Sequence, residues 1–491
     1  MHVNGHALLT DLYELTMMQG YYYHLKNMHA VFDMFFRHAP FNGGYAVFAG
    51  LAPLVDELCS LRFTRDDIEY LKSQKIFTDD FLGYLQTFRF TGDVYAAPEG
   101  AVVFPNEPLV RVEGNIIECQ LIESLLLNIV NFQTLIATKA SRIFNASRQG
   151  SILEFGLRRA QGVDGAISAT RAAYIGGASA TSNVLAGKMF GIPVAGTMAH
   201  SWVMAFPDER QAFMEFAKLY PDRCILLVDT FDTIKSGIPN AITVFREMRE
   251  KGLSTIGIRL DSGDLEYLSK LARREFDRAG FTDAKIYASN ELDENIIHQL
   301  VSRNAPIDSW GVGTSLVTAQ GDSSLSGVYK IVAKKLNGAY LPTMKISNTM
   351  EKITNPCRKN VARIYDTRGI MLADLIVADD AAAPDAALRE LDAGKPVRLN
   401  HPSNENVKTV VSGYGRYETL LTKVIEHGEP CADFPPLAQV RAAAIRNLAS
   451  LDDTHRRFIN PHIYKVSLSN GMKDLKFGLM KRARADTNNS L

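Results

Sequence analysis

The chain has 491 residues, 46% hydrophobic and 22% charged, too apolar for a disordered protein and too mixed for a fibre or coiled coil. At ~100–200 residues per domain it holds about two or three domains. Lys plus Arg and Asp plus Glu both number 54, so the chain has no general pull on nucleic acid or an anionic membrane, and any anion site must be local.

The N-terminal stretch MHVNGHALLTDLYELT has no basic region followed by an apolar one, and Asp11 and Glu14 interrupt it; it does not read as a secretory signal. Residues 8–24 predict a helix, with Leu8, Leu12, Leu15 and Met18 at helical spacing. Residues 91–115 are short Val-rich pieces between Gly, Pro and Asn, which predict two or three antiparallel strands. Helix returns over 116–148, where the best apolar stretch is broken by Glu123, Asn128 and Asn131, so no membrane span is expected. Cys59, Cys119, Cys224, Cys357 and Cys431 are scattered with no CxxC pair, which suits a reducing compartment and argues against a cysteine zinc site. A cytoplasmic protein is expected.

The middle of the chain alternates short apolar runs with amphipathic helices. Strands are predicted at 151–155, 192–195, 224–228, 255–259, 285–288 and 309–312, and helices at 212–219, 241–251, 265–279 and 294–303. Their spacing is that of repeated βα units, which imply parallel strands. After residue 314 hairpins are predicted around Asn337-Gly338 and around Thr367-Arg368-Gly369. Residues 380–405 read as a surface connection, 435–450 as an Ala-rich helix, and the last dozen residues as frayed. The expected fold class is α/β. A βα barrel over 141–325 is joined by a second, β-rich α+β domain built from 1–140 and 326–430, and 431–491 form a C-terminal helix and tail. A doubly wound sheet also satisfies the alternation.

The barrel is favoured because polar and glycine residues follow every predicted strand: Phe155-Gly156-Leu157-Arg158-Arg159, Gly196-Thr197-Met198-Ala199-His200-Ser201, Asp229-Thr230-Phe231-Asp232, Arg259-Leu260-Asp261-Ser262-Gly263-Asp264, Ser289-Asn290 and Gly311-Val312-Gly313-Thr314-Ser315. In a βα barrel these ends share one rim, where active sites sit; an open sheet concentrates its site at one switch point. Arg158, Arg159 and Arg259 suit a carboxylate or phosphate. Gly311 and Gly313 leave backbone N–H groups open for a phosphate cradle, or simply serve a turn. Asp261, Asp264, Asp229 and Asp232 are candidates for Mg²⁺ or for stabilising positive charge in a substrate; for Asp264 a helix N-cap is the competing reading. His200, among small residues at a strand end, is a candidate base or phosphoryl acceptor, against the bland reading of a satisfied histidine.

At these residues the sequence closely resembles the nicotinate phosphoribosyltransferase family over nearly its whole length, through LLTDLYELTM, EFGLRRAQGVDG, GTMAHSWVMAF, LVDTFDT, IRLDSGDL and WGVGTSLVT in order. The resemblance implies an irregular barrel of the type II phosphoribosyltransferase kind and a homodimer. The implied reaction joins nicotinate to phosphoribosyl pyrophosphate, giving nicotinate mononucleotide and pyrophosphate with ATP hydrolysed alongside, a ligase step in NAD salvage. It makes His200 the phosphohistidine, and for a transition state like an oxocarbenium ion Asp261 is the candidate carboxylate to stabilise the cation. Tyr13, Thr197, Arg259 and Phe155 become nicotinate residues, with Tyr13 acting across the dimer. Thr314, Arg158, Gly311, Gly313, Ser262 and Gly263 become phosphoribosyl pyrophosphate residues, and ATP and Mg²⁺ are implied. The dispersed cysteines depart from members with a cysteine-bound metal. The run Ala180-Thr181-Ser182-Asn183 lacks the Asp of the nicotinamide-using relative, which favours the acid. The rival readings are that nicotinamide enzyme, quinolinate and nucleobase phosphoribosyltransferases, and a silent barrel that binds a pyridine nucleotide without releasing pyrophosphate.

Overall fold

The computed structural model describes residues 6–254, 256–347, 352–380 and 385–489. The chain divides into two units. One is Ile136–Ser323 with Leu437–Ala442; the other is Met1–Leu135, Ser324–Pro436 and Ala443–Leu491.

The first unit holds six parallel strands: β1 (Ser151–Glu154), β2 (Ala180–Thr181), β3 (Ile225–Leu227), β4 (Gly257–Leu260), β5 (Lys285–Ala288) and β6 (Ser309–Val312). They lie in the order 2-1-6-5-4-3, so the last strand pairs with the first, Trp310 opposite Ile152. Parallel strands covered by helices read as continuous apolar runs, and Leu226, Leu227, Val228, Ile258, Leu260 and Ile286 are all fully buried against Val244, Phe245, Phe276 and Phe281. Aspartates start three of the helices between them. Asp208, Asp264 and Asp293 accept from the backbone N–H groups of Gln211, Tyr267 and Asn295, satisfying donors that a helix start leaves open.

Two strand expectations change. The two-residue β2 lies where no strand was predicted, because Ala-Thr is too short to show a period. The predicted strand at 192–195 makes one parallel bridge, Val194 to Thr181, which places it outside β2. The neighbour order thus runs from Val194 through β2, β1, β6, β5 and β4 to β3, and among the described residues no pairing joins Val194 to β3. Thr255, in the strand predicted at 255–259, lies outside the described residues.

In the second unit the segments flanking the parallel core join in one seven-stranded sheet. His29–Phe36 pairs antiparallel with both Gly327–Leu336 and Val110–Asn115, and Asp93–Ala96 pairs with Thr422–Glu426. The hairpin from Gly327–Leu336 to Ala339–Pro342 turns on Asn337 (φ 50°) and Gly338 (φ 83°), two left-handed residues as a tight two-residue hairpin requires. A six-stranded sheet follows, in which Lys359–Tyr365 pairs antiparallel with Met371–Ala378; the buried Arg363 and Asp374 meet there side by side, Nε to Oδ1 at 2.9 Å. The surface connection expected over 380–405 is overturned. It contains the helix Ala386–Asp392 and the strand Val397–Asn400, with Val397 and Leu399 buried; residues 381–384 lie outside the described residues. The tail expected to fray is helical as far as Asn489. The segment 431–491 is split, its Leu437–Ala442 turns belonging to the first unit. Among the described residues no helix is long and apolar enough to cross a membrane.

The N-terminal helix, Leu12–His24, carries a buried acid. Glu14 accepts from the hydroxyls of Thr10 at 2.6 Å and Ser124 at 2.8 Å, and burial, with Glu123 adding repulsion, pushes its carboxyl up to about 7. A raised acid binds its proton more tightly folded than unfolded, so between about pH 4.5 and 7 stability falls as pH rises. Glu14→Gln is therefore expected to be more stable than the wild type at pH 8 by an amount of the order of 2 kcal/mol, and equal to it near pH 4.5. Paired thermal melts at the two pH values measure this; a gain of the same size at both would mean the carboxyl charge is not the cause.

Candidate active site

The strand ends of the first unit enclose a cavity of about 520 Å³, within the size range of small-molecule sites. Its wall includes Phe155, Arg158, Arg159, Ser182, Gly196, Thr197, His200, Arg259, Asp261, Ser289, Gly311, Gly313 and Thr314. Five predicted strand ends thus meet on one space. β3 contributes from behind, through Thr230 and Asp229.

Arg259 ends up mostly buried because it sits inside β4, next to Leu260 in the core. Its Nη1 donates to the Thr197 hydroxyl at 2.5 Å, and its Nη2 lies 3.9 Å from Asp261 Oδ2. Its Nε is buried and has no partner among the described residues. Burial lowers the guanidinium's pKa, only partly offset by Asp261 and Asp229, and Arg158 lowers it further. A mostly buried cation with a donor left over has capacity for one more acceptor, whether an anion or a water. Phe155 forms the neighbouring wall. A Cβ at Gly311 would lie 2.7 Å from its ring, so the glycine is what lets the ring lie over β6.

His200 begins the short helix His200–Met204. Its Nδ1 lies 3.2 Å from the Thr230 hydroxyl and its Nε2 3.6 Å from Asp261 Oδ2. Asp261 is the hub of the acids. Its Oδ1 accepts from Ser289, and its backbone N–H donates to Asp229 Oδ2, which also accepts from the Ser262 hydroxyl at 2.5 Å.

Family models described as the nicotinate phosphoribosyltransferase N-terminal domain, family and C-terminal domain match residues 8–131, 151–369 and 358–476. The chain belongs to the nicotinate phosphoribosyltransferase family. A nicotinate phosphoribosyltransferase of Bacillus subtilis is 44% identical over 465 residues, covering 94% of this chain and 93% of the relative. One of Homo sapiens is 34% identical over 526 residues, covering 95% of each. The crystal structure of human nicotinic acid phosphoribosyltransferase superposes with a TM-score of 0.82 at 31% identity, covering 96% of this chain and all of that one.

Against that family frame, the candidate residues fall into three groups. His200, Asp261, Thr197, Arg259, Phe155, Arg158, Gly311, Gly313 and Thr314 come together around the cavity. Ser262 and Gly263 are not in its wall; Ser262 turns to Asp229 instead. Tyr13 lies in the other unit, half exposed on the Leu12–His24 helix, where burial and the nearby Glu123 and Glu14 raise its phenol's pKa. Two of the four acids do other work. Asp264 caps the helix Leu265–Arg278, and Asp232 caps the turn Thr233–Gly237, its pKa lowered by the Lys235 N–H.

For Mg²⁺, no group of three or more His, Cys, Asp or Glu among the described residues is arranged to hold a metal. An ion that arrives on substrate phosphates needs only one or two carboxylates. Asp261, facing the cavity, and Asp229, whose Oδ1 is buried without a partner, fit that demand; Asp264 does not. Residues the sequence reading passed over also line the wall, among them Glu291. Asn290 and Glu291 have φ of 84° and 30°, a left-handed bend after β5 that asparagine favours and that nothing in Glu291 announces.

Proposed function

We propose that the chain joins nicotinate to phosphoribosyl pyrophosphate, with ATP hydrolysed through a phosphohistidine at His200. The observation that carries this reading is Arg259: a mostly buried guanidinium with an unpartnered Nε, bonded to Thr197 and sharing one cavity with a histidine and two further arginines. The carboxylate of nicotinate takes the free guanidinium edge and the Thr197 hydroxyl, and its ring lies against Phe155. Arg158, Arg159 and the N–H groups of Gly313 and Thr314 take the phosphates. The pyridine nitrogen then attacks the anomeric carbon. The N–C bond forms as the C–O bond to pyrophosphate breaks, through an oxocarbenium-like state as in glycoside cleavage. Asp261 faces that developing positive charge. Mg²⁺ held by Asp261 and Asp229 would neutralise the departing pyrophosphate.

In the coupling half-reaction the imidazole is the nucleophile. With the Nδ1 proton donated to Thr230, Nε2 carries the lone pair. It attacks the terminal phosphorus of ATP, the N–P bond replaces the P–O bond, and ADP leaves; water later cleaves the phosphoramidate. Added negative charge at the rim favours the arrangement in which the arginines grip pyrophosphate. Ser182 in the wall offers no carboxylate to an amide, which supports the acid over nicotinamide.

Three further readings go with this one. The parallel sheet, in that neighbour order, is an irregular barrel. The enzyme works as a homodimer in which Tyr13 serves the neighbour's site. It resides in the cytoplasm. The test is pyrophosphate release from phosphoribosyl pyrophosphate with nicotinate or nicotinamide, each with and without ATP. Release with nicotinate, stimulated by ATP, is expected; no nicotinate-dependent release under either condition overturns the reading.

A further inference from the structure

Glu154 ends β1 with its side chain 1% exposed. A carboxylate so enclosed must find donors, and it finds three from three elements. Oε1 accepts from the Gly156 N–H at 2.5 Å. Oε2 accepts from the Thr170 hydroxyl at 2.9 Å and the Thr181 hydroxyl at 2.6 Å. Thr170 lies on the helix Val163–Ile175, and Thr181 ends β2. The backbone completes the lacing: the Ser182 N–H donates to Glu154 O at 2.9 Å, and the Asn183 N–H donates to Thr181 Oγ1 at 2.9 Å. Gly156 is held from its other side as well, since a Cβ there would lie 2.2 Å from Val317 Cγ1. Glu154 itself is not in the cavity wall. Both of its oxygens grip segments that are: the turn bearing Phe155, Arg158 and Arg159, and the stretch bearing Ser182.

We infer that Glu154 is a positioning residue that fixes the Phe155–Arg158 turn against the Ser182 wall, and so sets the distance between the pyridine subsite and the phosphate subsite. This rests on the reaction proposed above. A purely structural role accounts for burial but predicts a change in melting temperature alone. Positioning predicts a change in how both substrates bind.

The test compares Glu154→Gln, Glu154→Ala and Thr181→Val with the wild type. It measures KM for both substrates, kcat, melting temperature and calorimetric binding of inorganic pyrophosphate. Gln keeps an acceptor for the Gly156 N–H and turns an amide to the threonines; the Thr170 hydroxyl accepts it by giving its proton to Ala166 O, whereas the Thr181 proton loses its acceptor, so both KM values are expected to rise only about three- to tenfold. Ala removes every contact, and both KM values are expected to rise about 10- to 100-fold, with pyrophosphate binding weakened in step. If Glu154→Ala does not fold, the isosteric Thr181→Val carries the test, with both KM values up about three- to tenfold. A folded Ala variant with wild-type KM and pyrophosphate affinity overturns the proposal, as does Thr181→Val with such values where Ala is unfolded. A Gln variant as defective as Ala also overturns it. A wild type that binds pyrophosphate but releases none from the substrates sinks the reaction instead, and pyrophosphate affinity across the variants still judges Glu154.

Discussion

His200→Ala is expected to lose the ATP-dependent part of turnover by about 10³-fold or more, while a slower ATP-independent phosphoribosyl transfer persists. The reason lies in the division of labour around the imidazole. Thr230 at 3.2 Å holds Nδ1, and Nε2 faces Asp261; among the described residues no other ring nitrogen lines the cavity. Alanine therefore removes the proposed phosphoryl acceptor without moving Arg259, Thr197 or Phe155, none of which bonds to the histidine. The residual reaction needs only those groups. Incubation with γ-labelled ATP provides the direct readout: an acid-labile, base-stable label on the wild type and none on the variant. Label retained by the variant, or coupling that survives the substitution, would rule His200 out as the acceptor. Thr230→Val separates orientation from chemistry, since it leaves the nucleophile but frees the ring, and a loss of about tenfold is expected from one missing hydrogen bond.

The parallel core was legible because its signals are local and repeated. A strand such as Ile225–Leu227 sits in a parallel sheet and reads as an apolar run, and an aspartate marks the start of three of the helices. The rim was legible for the same reason, because every strand end carried polar residues or glycine. What stayed hidden depends on pairs far apart in the chain. Nothing near Glu154 announces Thr170 and Thr181, and nothing near His200 announces Thr230. Asp264 and Asp261 sit in one motif, yet one caps a helix and the other faces the cavity; their type is the same and only the backbone's direction separates them. The helix and strand at Ala386–Asp392 and Val397–Asn400 were masked by an Ala-, Asp- and Pro-rich composition that resembles a connection, although Asp385 caps that helix through the Ala387 N–H.

Arg259→Ala should raise KM for nicotinate about 100-fold or more, with a smaller effect on kcat. Truncation removes the two charge-assisted hydrogen bonds of the guanidinium edge to the substrate carboxylate, about 1.5–3 kcal/mol each, and leaves Asp261 without the cation 3.9 Å away. Arg259→Lys keeps the charge but not the plane. An ammonium that bonds Thr197 has no second edge fixed toward the carboxylate, so an intermediate loss of about tenfold is expected. The comparison substrate makes the assignment specific. Nicotinamide has the same ring and no negative charge, so its poor use should change little, and the preference for acid over amide should collapse toward unity in the alanine variant. Equal losses for acid and amide would mean that Arg259 serves the phosphates or the fold, and that the carboxylate is bound elsewhere. Because burial already depresses this guanidinium's pKa, an arriving carboxylate replaces solvation the arginine has lost; the same anion gains far less at the exposed Arg158, where water still competes.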